Sequence, residues 1–149
     1  MNPSEIQQLT ITKMQRIAKL SKQNPQMHFH SLMHHYNEES LTRCFHMLDA
    51  RKAKGIDGVS KAEYGENLIE NIKELLTKMK QMAYRPGPVR EVLIPKENGK
   101  MRSLGISNFE DKIIQMMTAQ ILQSIYEPLF VEDSYSFRPG RDCHLAIQE

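Results

Sequence analysis

The chain has no tryptophan, only two cysteines and no apolar run long enough to span a bilayer. A spanning helix needs roughly 18 or more consecutive apolar residues, and a signal peptide needs an apolar segment behind basic residues. Nothing of either kind occurs, so neither membrane insertion nor export is expected. Cys44 and Cys143 have no motif spacing; a disulfide scaffold is excluded, and both are expected to be reduced, buried or half-buried thiols of a cytosolic protein. His28, His30, His34, His35 and His46 cluster near Cys44, with His30 and His34 one helical turn apart. The paired-cysteine or glutamate-bearing spacings that mark zinc sites are missing, so no metal site is assigned. No internal repeat or low-complexity linker interrupts the 149 residues, a length for one domain.

What is present reads as a soluble, largely helical protein, 40% hydrophobic and 26% charged. Ten methionines in place of tryptophan suggest a pliable helical core or contact surface. Ile6, Leu9, Met14, Ile17 and Leu20 fall near one helical face, predicting an amphipathic helix over Ser4–Lys22 that Asn24-Pro25 ends. Further helices are expected over His28–Tyr36 and over Ser40–Lys52, the latter with Leu41, Cys44, Phe45 and Leu48 inward. Gly55–Gly58 reads as a loop. Lys61–Ala83 reads as one long helix striped by Leu68, Ile72, Leu75, Leu76, Met79 and Met82 and ended by Pro86 and Pro88. Ser107 and Glu110 fit a capping box. The helix behind them carries Ile113, Ile114, Met117, Ile121, Leu122 and Ile125 and should stop near Pro128. Asp142 opens a last helix.

Charge is unevenly distributed. Lys78, Lys80, Arg85, Arg90, Lys96, Lys100 and Arg102 face only Glu91 and Glu97, a local balance of +5. From Ser103 to Phe137 the sign reverses to −4, with Lys112 against Glu110, Asp111, Glu127, Glu132 and Asp133. The net +2 of the whole chain hides this polarity. The basic part coincides with a hairpin signal. Val89–Pro95 and Met101–Ile106 flank Glu97-Asn98-Gly99-Lys100, and Asn-Gly between β-rich runs tolerates the positive φ of tight turns.

These residues, in this order, closely resemble the group II intron-encoded reverse transcriptases, also called maturases. That family reads approximately Tyr-Arg-Pro-x-Pro-Val-Arg, Ile-Pro-Lys-x-x-Gly-x-x-Arg-Pro-Leu-Gly-Ile-Pro, Asp-Arg-Ile-x-Gln and Ser-Tyr-Gly-Phe-Arg-Pro-Gly-Arg-Ser. Here the matching stretches are Tyr84–Arg90, Ile94–Ser107, Asp111–Gln115 and Ser134–Asp142, and Lys54–Val59 resembles the family's Gly-hydrophobic-Asp-Gly-Val box. The likeness covers roughly residues 45–149. Ser103 and Ser107 stand where proline is usual, Lys112 where arginine is, and Ser136 where glycine is; none of these removes a charge.

The resemblance implies an α+β fold, mostly helical with a small antiparallel hairpin sheet, as in the fingers subdomain of a reverse transcriptase. Residues 1–50 would be a helical N-terminal extension and 51–149 the fingers, truncated before the palm. No Tyr-x-Asp-Asp occurs, so no catalytic residue is assigned and the fragment alone is expected to be inactive; Mg²⁺ is implied only for the full-length polymerase. Lys96 and Arg102 match the residues that grip the triphosphate of an incoming dNTP, where fixed cations cradle the oxygens. Arg85, Arg90, Lys100, Lys52 and Lys54 are expected on the template RNA, as are Arg138 and Arg141, which precede a helix N-terminus. Lys13, Arg16, Lys19 and Lys22 in the extension are expected on group II intron RNA, read by shape and phosphate. The implied partners are that intron RNA, an RNA template with a DNA primer, dNTP and a second copy in a homodimer, in a bacterial cytoplasm or an organelle. Two plainer readings compete: a stand-alone RNA-binding module, and a helical dimerisation domain using methionine-rich faces.

One structural expectation follows. A plain two-residue Asn98-Gly99 turn pairs Lys96 with Met101 and sends Lys96 and Arg102 to opposite faces. A bulged three-residue loop, with Gly99 or Lys100 left-handed, would pair Lys96 with Arg102. A shared triphosphate site requires the bulged form.

Overall fold

A computed structural model describes residues 3–148, apart from the side chains of residues 3, 6 and 7. The Ile6 side chain, expected on the first helix's apolar face, and the terminal Glu149 lie outside the described residues. The order is α1 (Pro3–Gln23), a 3₁₀ turn (Leu32–His35), α2 (Glu38–Met47), α3 (Lys61–Glu66), α4 (Leu68–Lys80), β1 (Arg90–Pro95), β2 (Met101–Ile106), α5 (Phe109–Tyr126), a 3₁₀ turn (Glu127–Leu129) and α6 (Cys143–Gln148). The two strands form one antiparallel sheet, giving the mixed α+β class expected. No described helix is long and apolar enough to cross a membrane.

The chain divides into two compact units, Ser31–Met117 and the residues up to His30 together with Thr118 onward. In the first, Leu41, Cys44, Ile72, Leu75, Ile113 and Met117 are almost fully buried. Each buried aliphatic side chain contributes roughly 1.5–3 kcal/mol. Phe45, Tyr64 and Phe109 pack as an aromatic trio with centroids 5.5–6.3 Å apart. In the second unit Thr10, Ile17 and Ser21 are buried on α1, and the Ser21 hydroxyl donates to the Ile125 carbonyl. Leu9, expected on the inward face, is 41% exposed, because the buried stripe runs through Thr10 and Ser21 instead.

Several boundaries differ from expectation for local reasons. Residues 28–36 supply only the short 3₁₀ turn at Leu32–His35. The next helix begins at Glu38, where Asn37 and Ser40 form a reciprocal capping box, and ends at Met47. Lys61 holds that end: its ammonium donates to the His46 and Leu48 carbonyls at 3.2 and 2.7 Å. The helix expected over 61–83 breaks at Asn67, and the Asn71 side chain donates to the Tyr64 carbonyl at 2.9 Å across the break. Met82 rather than Pro86 terminates α4. It is left-handed at φ 57°, with Met82 N–H on the Met79 carbonyl and Ala83 N–H on the Lys78 carbonyl, a Schellman motif. Since α5 starts at Phe109, Ser107 does not cap it; Glu110 accepts from the Tyr64 hydroxyl at 2.9 Å instead. The last helix does open behind Asp142, whose carboxylate accepts from the His144 and Leu145 amides. Cys44 is buried, and burial pushes its thiol up to about 11. Cys143 is exposed, against the expectation of a buried or half-buried residue.

Candidate nucleic-acid interface

The hairpin turns through Glu97-Asn98-Gly99. Lys96 N–H donates to the Lys100 carbonyl at 2.7 Å, and Gly99 N–H donates to the Lys96 carbonyl at 3.0 Å. Gly99 takes the left-handed conformation at φ 76°, the bulge geometry that only glycine adopts at little cost. The bulged loop is therefore as expected, but the pairing is not: Pro95 faces Met101 and Ile94 faces Arg102. Lys96 sits across from Lys100 and not from Arg102, because the three loop residues are Glu97, Asn98 and Gly99 and the ladder resumes at once. The shift is by two residues, so parity survives. Lys96, Lys100, Arg102 and Arg90 all lie on one face of the hairpin, with Lys96 and Arg102 as diagonal neighbours about 7–8 Å apart by sheet geometry.

That face is cationic at its tip and apolar beneath, where Val92, Ile94 and Ile106 are half-buried. Lys96, Arg102 and Ile94 line a shallow groove with Glu97 and Asn98. Among the described residues, no hydrogen bond or ion pair engages the side chains of Lys96, Lys100 or Arg102. The opposite face is different in kind: Leu93 and Met101 are more than half exposed there, and Glu91 is its one charge.

At the hairpin's base the loop Lys52–Val59 joins the same unit. Arg90 Nε donates to the Lys54 carbonyl at 3.0 Å, and Lys112 Nζ donates to the Ala53 carbonyl at 2.7 Å. Between loop, β2 and α5 lies a cavity of about 390 Å³. Leu48, Val59, Leu104, Ile106 and Phe109 line it, together with Lys52, Lys54, Lys61 and Lys112. The Lys54 ammonium also lies 3.6 Å from Glu63 in an exposed pair. Lys61 and Lys112 were not singled out by charge counting; the only signal for Lys112 was its place in the Asp-Arg-Ile-x-Gln box.

Other expected cations are arranged otherwise. Arg85 turns back on the end of α4, donating to the Met82 and Tyr84 carbonyls at 3.1 and 2.8 Å. In the second unit, Arg138 is engaged by its own loop. Its Nε and one terminal nitrogen meet Glu127 at 2.9 and 2.8 Å, and the other terminal nitrogen donates to the Val131 and Ser134 carbonyls. The guanidinium also covers the Phe130 ring, and the side chain is only 8% exposed. It shapes the loop instead of presenting a fork to solvent. Arg141 donates to the Glu132 carbonyl and lies over the Tyr135 ring. Along α1, Arg16, Lys19 and Lys22 are exposed and Lys13 is half-buried; Lys19 and Lys22 border an open cleft with Pro128 and Glu127. Among the described residues, no group of three or more His, Cys, Asp or Glu side chains is arranged to hold a metal ion.

Lys96, Lys100, Arg102 and Arg90 thus share one hairpin face, beside a cavity whose lining includes four lysines. The group II intron-encoded protein LtrA of Lactococcus lactis subsp. cremoris is 49% identical over 80 residues, 53% of this chain and 13% of that protein. The chain is homologous to group II intron-encoded proteins. Protein YkfC of Escherichia coli K12 is 39% identical over 94 residues, 63% of this chain and 25% of its own length. A 91 kDa protein in the cob intron of Schizosaccharomyces pombe is 35% identical over 102 residues, 68% of this chain and 12% of that protein. The chain thus spans a quarter or less of the length of these relatives. No protein-family model matches it.

Proposed function

We propose that this chain is the nucleotide- and RNA-gripping part of an RNA-directed DNA polymerase that also assists splicing of its own intron, a retroelement protein. The observation that carries the reading is the shared face of Lys96, Lys100 and Arg102, with no partner of their own among the described residues. In this reading Lys96 and Arg102 hold the triphosphate of the incoming dNTP, Arg as a planar fork and Lys as a point charge. Lys100, Arg90, Lys52 and Lys54 follow the template RNA and its DNA primer. The fingers role belongs to 51–149 and intron RNA recognition to 1–50, through Lys13, Arg16, Lys19 and Lys22. Arg85, Arg138 and Arg141 act by shaping loops beside the nucleic acid. Magnesium would be held by residues outside this chain's described set.

The test is binding of the chain to a group II intron RNA and to an unrelated duplex of equal length across a salt series. Selective binding that survives high salt is the expected result. Equal, weak binding to both that vanishes as salt rises would overturn the intron-recognition part. With Lys96→Ala and Arg102→Ala combined, dNTP use by the full-length polymerase should be lost while RNA affinity and its salt slope are spared. Stability should stay within about 0.5 kcal/mol, as for surface substitutions. RNA affinity and salt slope falling together would favour the stand-alone RNA-binding module instead.

A further inference from the structure

Two segments carry the cations of the proposed interface, the Lys52–Val59 loop and the hairpin, and both are fastened to the first turn of α5. Asn108 sits immediately before that helix and reaches both segments. Its Oδ1 accepts from the Asp57 amide at 3.3 Å. A Cβ on Gly55 would lie 2.4 Å from that oxygen and 2.6 and 2.7 Å from the Asn108 Cα and backbone nitrogen. A Cβ on Gly87 would lie 2.4 Å from Asn108 Nδ2. Asn108 is thus wedged between the loop and the strap Arg85–Val89 that leads into β1, at distances only two glycines permit.

One turn on, Asp111 completes the fastening. It is 5% exposed. One carboxylate oxygen accepts from the Tyr84 hydroxyl and the other from the Gly87 amide at 2.9 Å. A buried carboxylate is costly unless donors surround it, and the helix N-terminus adds favourable field here. Lys52 and Lys54 lead into the fastened loop, and Arg90 begins the strand behind the strap.

We propose that Asn108 and Asp111 are positioning residues that lock the loop and the hairpin into one surface, so that their cations act together on a single bound strand. This rests on the reading above, that the cationic face grips nucleic acid. Two rigidly linked contacts bind with a gain set by their effective concentration, and the gain disappears when their relative placement is lost.

The experiment is a double-mutant cycle on binding of a labelled poly(U) oligonucleotide. Lys52→Ala with Lys54→Ala removes the loop cations, and Lys100→Ala removes the tip cation assigned to the strand. In the native background the two losses should be non-additive by about tenfold, and in Asp111→Asn or Asn108→Ala they should become additive within about twofold. Tyr84→Phe, which deletes one hydroxyl and leaves Gly87 bound, is the milder variant should Asp111→Asn fail to fold; it should reduce the coupling to between those limits. Melting curves follow each protein. Coupling unchanged in Asn108→Ala and Tyr84→Phe overturns the proposal, including where melting temperature falls, because a purely structural role moves stability without touching coupling. If neither loss weakens binding in the native background, the interface reading itself fails, a result distinct from intact binding without coupling.

Discussion

Two arginine-bearing segments of this chain look alike as sequence and differ as structure. The hairpin offers Lys96, Lys100 and Arg102 on one face with nothing engaging them among the described residues. The loop Ser134–Arg141 carries Arg138 just as conspicuously, yet that guanidinium is closed in by Glu127, two carbonyls and the Phe130 ring. Charge counting treats the two as equal. Hydrogen-bond accounting separates a cation available to a ligand from one that holds its own backbone in place.

The largest effect should come from breaking that contrast at Arg138. Arg138→Ala strands Glu127 and two carbonyls, and should cost about 3 kcal/mol, the low end for a buried pair because Glu127 stays partly solvated. Urea denaturation measures this, while the salt slope of RNA binding should not move. A full-stability Arg138→Ala protein with weakened RNA binding would erase the distinction. On the hairpin side, Gly99→Ala should cost about 1 kcal/mol, since its left-handed backbone is unfavourable for any residue bearing a Cβ. Gly99→Asn should be milder, asparagine being the residue that best tolerates this region. Amide exchange at Lys96, whose N–H closes the turn, reads the change directly. Equal protection in all three proteins would show that the turn does not hold the tip.

How much of this was legible beforehand depends on the range of the interaction concerned. The hairpin was visible because Asn98-Gly99 between alternating strands is a local signal, and face-sharing of Lys96 and Arg102 survived an error of two residues in register because strand periodicity is two. The apolar stripe of α5 was legible too: Ile113, Met117, Ile121 and Ile125 are buried and Ile114 half-buried, while Phe109, outside the expected stripe, is buried at its start. Leu122, included by hydrophobicity alone, is 46% exposed. The break at Asn67 was not legible, since Asn71 reaching the Tyr64 carbonyl competes with an otherwise acceptable helical turn. Nor was the engagement of Arg138 or the fastening role of Asn108 and Asp111. In the sequence Asp111 is one more negative charge and the start of the Asp-Arg-Ile-x-Gln resemblance, whereas its structural meaning lies in Tyr84 and Gly87, more than twenty residues away. Gly55 and Gly87 were the available hint, as glycines that mark close approach rather than turns.

The same separation of engaged from offered charge applies to acids and gives the smallest predicted effect. Glu97 is exposed on the hairpin turn, whereas Glu110 is partly buried beneath the Tyr64 hydroxyl. Burial raises the Glu110 carboxyl above its ordinary 4.5, with Asp111 and Glu74 adding to the rise and the Tyr64 hydroxyl and Lys78 opposing it. A carboxyl raised on folding holds its proton more tightly in the folded state. Its contribution to stability is therefore complete below the unfolded value and is lost as pH rises through the folded one. Glu110→Gln keeps an acceptor for Tyr64 and removes the titration. Relative to the native protein, the variant should gain stability as pH rises out of the ordinary carboxyl range and through the raised folded value of Glu110. Asp49, Glu63 and Glu74 are shifted down by their own partners and push overall stability the other way, so only the difference between the two proteins isolates Glu110. A difference flat across that range, from paired urea titrations, would mean that Glu110 is as well solvated as Glu97 and belongs with the offered charges.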